Sequence, residues 1–145
     1  MERKPEMRRQ RELMAFFNQK APIARFFGMK LSYTKAGNAV IDLPYNPDLD
    51  HALGGIHGGV YATMLDNAGW FTAAAAHDRS CWVATSEMSL HLLKAVQKTS
   101  LRSVGNLIKK GKRQDIAEMH LYDGSGELVG HATGTFVVLP DIPLP

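Results

Sequence analysis

Cysteine is almost absent from this sequence. Cys81 stands alone in 145 residues, which excludes an intramolecular disulfide and any cysteine-based metal cluster. Its thiol reads as a small buried residue beside Trp82, because a nucleophilic cysteine needs an activating neighbour and only His77 lies near it in sequence. Long apolar runs are missing too. Nothing approaches the roughly 20 residues that cross a bilayer. The first 20 residues mix acids with bases around no apolar core, so no span and no secretory leader is expected, and a cytoplasmic location is. Low-complexity stretches and internal repeats are also lacking. Charge of one sign is in short supply: the net charge is +3, part of it gathered in Arg3, Lys4, Arg8, Arg9 and Arg11. No helix-turn-helix signature, zinc spacing or aromatic-rich basic strand accompanies that cluster, so no nucleic-acid partner, membrane partner or metal site is expected.

What is present is enough for one domain with a proper core, since 45% of the residues are apolar and 21% charged. Residues 2–20 read as an amphipathic helix that gathers Leu13, Phe16 and Phe17 on one side, which fits a helix covering the edge or end of a sheet. Pro22 stops or kinks it, and residues 23–27 form a short second turn closed by Gly28. Residues 30–34 and 38–43 are β-prone runs around the turn Lys35-Ala36-Gly37. Pro44, Asn46, Pro47 and Asp48 break the pattern, and a loop through Leu53, Gly54 and Gly55 leads to His57. Beyond a polar turn at residues 77–80 come four longer strands, 82–93, 99–110, 113–123 and 127–139, with the tight turn Asp123-Gly124-Ser125-Gly126 before the last. Pro140, Pro143 and Pro145 end the structure, leaving residues 141–145 as a tail. Consecutive strands joined by hairpin turns imply an antiparallel sheet, and the α+β order implies a sheet curled around one long helix, with part of the sheet left to seek a partner.

That helix is the segment from Gly55 to Ala76, which contains a single acid, Asp66. Small side chains at Gly58, Gly59, Ala62, Ala68 and Gly69 permit close approach of a sheet or another helix. A carboxylate within such an apolar segment must be paired, hydrogen-bonded or shifted in pKa, which makes Asp66 the first functional candidate.

The run Gly54-Gly55-Ile56-His57-Gly58-Gly59-Val60, with Asp66 nine residues after His57, resembles the hotdog-fold acyl-CoA thioesterases of the phenylacetate-degradation (PaaI-like) type. The resemblance extends from about Ile23 to Leu139 and takes in Lys109-Lys110-Gly111-Lys112, the segment from Asp123 to Val129 and Ala132-Thr133-Gly134-Thr135-Phe136. It implies a hotdog domain over residues 23–140, a six- or five-stranded sheet around the helix, and an N-terminal helical segment over residues 1–22. The physics of the motif agrees. Backbone N–H groups at Gly58 and Gly59, backed by the helix dipole, suit a thioester carbonyl and its oxyanion.

By family analogy the Gly58 amide is the oxyanion donor, while His57 either shapes the turn or hydrogen-bonds near the thioester. Eight helical residues separate Gly58 from Asp66 by roughly 12 Å. Both can serve one carbonyl only if two helices pack antiparallel across a two-fold axis, as the resemblance implies for hotdog dimers. Asp66 would then act as general base on water or as nucleophile through an anhydride. His51 occupies a loop position where the family commonly carries an amide side chain. Thr85, with Ser86 next to it, matches the hydroxyl that orients water beside the acid. Lys109, Lys110, Lys112 and Arg113 lie where the family binds the CoA nucleotide. Gly59, Tyr61, Leu65, Trp70 and Met88 are expected near the acyl group. The implied activity is hydrolysis of an acyl- or aryl-CoA in a homodimer or dimer of dimers, with no cofactor beyond the CoA of the substrate. A hydratase or dehydratase using His57 and Asp66, and a non-catalytic acyl-CoA-binding module, remain the alternatives.

Overall fold

The computed structural model describes residues 3–77 and 81–144; three residues of the expected polar turn, 78–80, lie outside that range. Its elements are α1 (Arg3–Ala15), α2 (Pro22–Phe27), β1 (Lys30–Tyr33), β2 (Ala39–Leu43), α3 (Gly58–Ala75), β3 (Trp82–Leu92), β4 (Leu101–Lys109), β5 (Gln114–Asp123) and β6 (Leu128–Leu139). The six strands form one antiparallel sheet in the order β1-β2-β4-β5-β6-β3. The sheet wraps α3 in the hotdog arrangement, and strand ends fall within two residues of those read from the sequence.

Glycine sets how deep the helix sits. A Cβ at Gly105 on β4 would lie 2.3 Å from the Ala68 carbonyl oxygen and 2.4 Å from the Thr72 hydroxyl. One at Gly69 would lie 2.5 Å from the Phe136 ring. Polar pegs then fix the helix along its sheet-facing side. Ser103 Oγ donates to the Met64 carbonyl (2.7 Å), Thr72 Oγ1 to that of Ala68 (2.7 Å) and the Tyr33 hydroxyl to that of Phe71 (2.9 Å). Thr72 Oγ1 also accepts from the Ala39 N–H at the start of β2. Buried Ser103 and Thr72 are thereby satisfied without loosening the core.

The N-terminal segment is not one continuous helix. α1 ends at Ala15 and continues as a π-helical turn, Phe16–Lys20, before Pro22 starts α2. The widened turn presents Phe17 edge-on to Phe71 at 4.9 Å and lets Asn18 bond both the N–H and the C=O of Leu31. Tertiary contacts of this kind leave no local signal in the sequence. As expected, Leu13 and Phe17 are buried. The buried Arg9 reaches the Ala74 carbonyl with two nitrogens at 3.2 Å, near the negative end of the α3 dipole. Gly28 closes α2 in the left-handed conformation, with φ of 89°.

At the far end of α3, His77 Nε2 and Asp115 Oδ2 meet at 2.6 Å. The other Asp115 oxygen accepts from the Gly111 N–H, so the β4–β5 hairpin is anchored at the C-terminal end of α3. Cys81 is buried, and the Trp82 N–H donates to the Ile142 carbonyl, folding residues of the expected tail back onto β3.

Gly105→Ala should cost about 1–3 kcal/mol of stability, because the methyl meets helix backbone that cannot yield locally. Chemical denaturation measures this, and an unchanged midpoint would show that the helix does not depend on that approach.

Candidate active site

The loop before α3 is built on two histidines that cap it. His51 Nδ1 accepts from the Leu53 N–H (3.1 Å), and the backbone N–H and C=O of His51 bond Gly55 and Gly54. A Cβ at Gly55 would come within 2.6 Å of the His51 ring, so glycine is what lets the imidazole fold over the loop. His57 is the N-cap of α3, with Nδ1 accepting from the Gly59 N–H at 2.8 Å. Both neutral rings therefore carry their proton on Nε2.

This capping decides which amide is available. Gly59 is engaged by His57, and the Val60 N–H bonds the His57 carbonyl. The Gly58 N–H finds no acceptor among the described residues, and it stands at the positive end of an 18-residue helix. Above it lies the half-exposed Leu92, whose Cδ1 would be 3.0 Å from a Cβ at Gly58. A cleft of about 360 Å³ opens beside this turn, lined by Phe27, Leu49, Asp50, His57, Gly59 and Val60 among others.

Asp50 was not singled out by its sequence. One of its oxygens accepts from the Tyr45 hydroxyl at 2.6 Å, while the buried Oδ1 has no hydrogen-bond partner among the described residues. The Asp48–Asp50 spacing in a polar loop was the only signal available, and it did not distinguish the two acids.

Asp66 lies on the side of α3 that the sheet does not cover. Gly59, Ala62, Thr63, Asp66, Asn67 and Trp70 recur at helical spacing and remain partly or fully open, while Val60, Met64, Leu65, Ala68 and Phe71 are buried. The Thr85 hydroxyl donates to Asp66 Oδ1 at 2.7 Å. Asn67 turns instead to the Thr63 carbonyl, so it does not neutralise the acid. Burial raises the Asp66 pKa above its ordinary value, and the Thr85 hydrogen bond offsets this only in part. The β3 register shifts between Thr85 and Glu87, a bulge that reorients the strand at the point where it meets the acid. Ser86 within that bulge donates to the Thr135 carbonyl rather than to Asp66.

The remaining sequence candidates are distributed unevenly. Trp70 lies on the open stripe, its indole N–H donating to the Val83 carbonyl and its ring packed against Phe71 and Trp82. Met88 is half-buried against the core. Tyr61 and Leu65 are buried inside the chain's own core, and the Tyr61 hydroxyl donates to the Lys94 carbonyl at 2.8 Å. Lys109, Lys110, Lys112 and Arg113 are exposed on the β4–β5 hairpin. Because Asp115 ties that hairpin to His77, these cations sit at the opposite end of α3 from Gly58 in the same chain, a helix length of roughly 27 Å.

Known proteins share this architecture. The chain is 26% identical over 123 residues to a Saccharolobus solfataricus protein provisionally assigned as an esterase, covering 85% of this chain and 87% of that one. A Bacillus halodurans protein solved with coenzyme A superposes with a TM-score of 0.79 at 27% identity, covering 96% of this chain and 94% of that one. A Haemophilus influenzae thioesterase shares the fold with a TM-score of 0.82 at 14% identity, over 90% of each chain. The family model of the thioesterase superfamily matches residues 53–129, the stretch that runs from the glycine loop through Asp66 and Thr85 to β6. With its histidine-capped helix, its hotdog sheet and that match over half its length, the chain belongs to the thioesterase superfamily.

Proposed function

We propose that the chain hydrolyses an acyl- or aryl-CoA thioester to the free acid and coenzyme A, working as a two-fold dimer of the PaaI-like type. The observation that carries this reading is the pair of groups on α3: an unengaged Gly58 N–H at the helix start and a desolvated Asp66 on the uncovered stripe. Coenzyme A in the related Bacillus halodurans structure supports the substrate class.

The two groups are roughly 12 Å apart along one helix, too far to meet at one carbonyl. Two open surfaces support a solution by pairing. The 11-residue β3 forms an outer edge of the sheet, and such an edge invites strand addition. The α3 stripe is small-sided enough to receive a second α3. Antiparallel packing sets Gly58 of one subunit against Asp66 of the partner, and it carries the partner's lysine hairpin toward the Gly58 end, where the CoA phosphates would need cations.

In each site the Gly58 N–H donates to the thioester oxygen and holds the charge that develops there. Asp66 takes a proton from water as the water oxygen bonds to the carbonyl carbon. Alternatively, it attacks that carbon itself and forms an anhydride that water opens. In either case the C–S bond breaks, and the departing thiolate recovers a proton. Thr85 holds the carboxylate in place through Oδ1, leaving Oδ2 for chemistry.

Asp66→Asn keeps the Thr85 acceptor but removes the base. Thiol release from a panel of acyl-CoAs should fall by roughly 10²-fold or more. The same variant should be more stable than wild type at neutral pH, because the native state disfavours the ionised carboxylate there. The raised folded pKa makes this penalty complete above that pKa, and it vanishes as pH falls below the ordinary value of 3.8. Thermal melts across pH would show the gap closing toward acid. Unimpaired turnover in Asp66→Asn, or hydration of an enoyl-CoA without thiol release, would defeat the reading.

The acid limb of kcat should lie above the ordinary carboxylate range, since Asp66 must be ionised to act. Thr85→Val removes the interaction that lowers the pKa, so the limb should move further toward neutral pH. A pH–rate profile that does not move would remove Asp66 from the chemical step.

A further inference from the structure

On the face of the sheet turned away from α3, a group of histidines plays no part in the hydrolytic site. Strand alternation places Glu118 and His120 outward on β5, with Met119 between them wholly buried against the core. His131 on β6 stands directly opposite His120 in the pairing register. Glu118 Oε1 lies 2.8 Å from His131 Nε2 and 3.7 Å from His120 Nε2. One ligand atom from each of the three residues falls within 4.8 Å of the others. The His120 ring stacks on Tyr122 with a 17° tilt and meets the His131 ring edge-on at 5.1 Å. The three side chains are 25–35% exposed, open enough for an ion to enter and covered enough to hold their geometry.

We propose that Glu118, His120 and His131 form a binding site for a divalent transition metal of the zinc class. Two imidazoles and one carboxylate are a borderline-soft donor set, suited to zinc, cobalt, nickel or copper rather than to magnesium or calcium, which require shells of oxygen. Metal–ligand bonds of about 2.0–2.2 Å in a tetrahedron hold the donor atoms roughly 3.3 Å apart. The two separations from Glu118, 2.8 and 3.7 Å, bracket that value and the third lies within 4.8 Å, so side-chain rotation can bring three corners together and water takes the fourth. The strands that supply the donors are both internal to the sheet, and a rigid scaffold lowers the cost of assembling ligands. On binding, the ion takes the place of the proton that joins His131 Nε2 to Glu118; a neutral ring then carries its single proton on Nδ1, and a protonated ring gives one proton to solvent. The site lies on the opposite face from Asp66 and does not depend on the hydrolase reading.

The test is titration of chelator-treated full-length protein with zinc chloride in a calorimeter, alongside the visible spectrum of the cobalt(II) form. Saturable binding of one ion per chain is expected, with the absorption of tetrahedral cobalt and a melting temperature that rises with zinc concentration. Glu118→Gln, which keeps the shape of the side chain, and His131→Ala should each weaken binding roughly tenfold or more, since even outer-shell partners of a metal contribute that much. Circular dichroism confirms that the variants are folded. Absence of saturable binding, or undiminished affinity in the folded His120→Ala/His131→Ala double variant, would overturn the proposal.

Discussion

The structure depends on how closely α3 approaches the sheet. Gly105 has no side chain because the Ala68 carbonyl occupies the space where one would be, and Gly69 makes the same concession to Phe136. Ser103 and Tyr33 then donate to carbonyls of the helix, and Thr72 of the helix accepts from the Ala39 N–H of β2. The result is a helix fixed in rotation as well as depth. Most of its apolar side chains are spent on the sheet and on Phe17, and what remains on the other side is a narrow stripe of small and polar residues that ends at Trp70.

That fixed rotation explains the surroundings of Asp66. A helix free to roll would expose Asp66 to water or bury it among Leu65 and Met64. Held as it is, the carboxylate is partly desolvated, with Thr85 as its hydrogen-bond partner and its pKa raised by burial. The bulge in β3 brings Thr85 to it, and the cap at His57 leaves the Gly58 N–H as the open donor at the helix start. Each device is local, yet none produces a site within one chain. The distances along α3 place the Gly58 N–H, the Asp66 carboxylate and the basic hairpin at separate stations, which the proposed antiparallel dimer would reunite.

Much of the architecture was legible because it rests on short-range chemistry. The turns at Gly37, Gly111 and Gly124-Ser125-Gly126 and the breakers Pro22, Pro44 and Pro47 mark element ends whatever the tertiary fold. A lone acid in a small-residue helix likewise stands out by its desolvation cost. What escaped notice depends on packing or pairing register. The π-helical turn at Phe16–Lys20 follows from Phe17 meeting Phe71 and from Asn18 meeting Leu31. Leu92 reaches Gly58 across 34 positions of sequence, and Asp115 fixes the lysine hairpin to the wrong end of α3 for its own Gly58. Glu118, His120 and His131 come together only because β5 and β6 pair with His120 opposite His131; one residue of slip would separate them. Tyr61 and Leu65, expected near the acyl group, are buried in the core, because the packing of α3 on the sheet sets which face they occupy.

In the proposed dimer each active site draws its oxyanion donor from one subunit and its acid from the other, an arrangement that mixed dimers distinguish from a site within one chain. Gly58→Pro removes a single N–H at the first helical position, where proline is favoured, and the extended His57 before it already has a backbone suited to precede proline. Gly58→Pro and Asp66→Asn should each be inactive alone. Unfolded and refolded together in equal amounts, they should regain about a quarter of wild-type thioesterase activity, since half the dimers are mixed and one site in each of those is intact. Mixtures that stay as inactive as the parents, despite demonstrated exchange of subunits, would show that the two groups do not act across the interface.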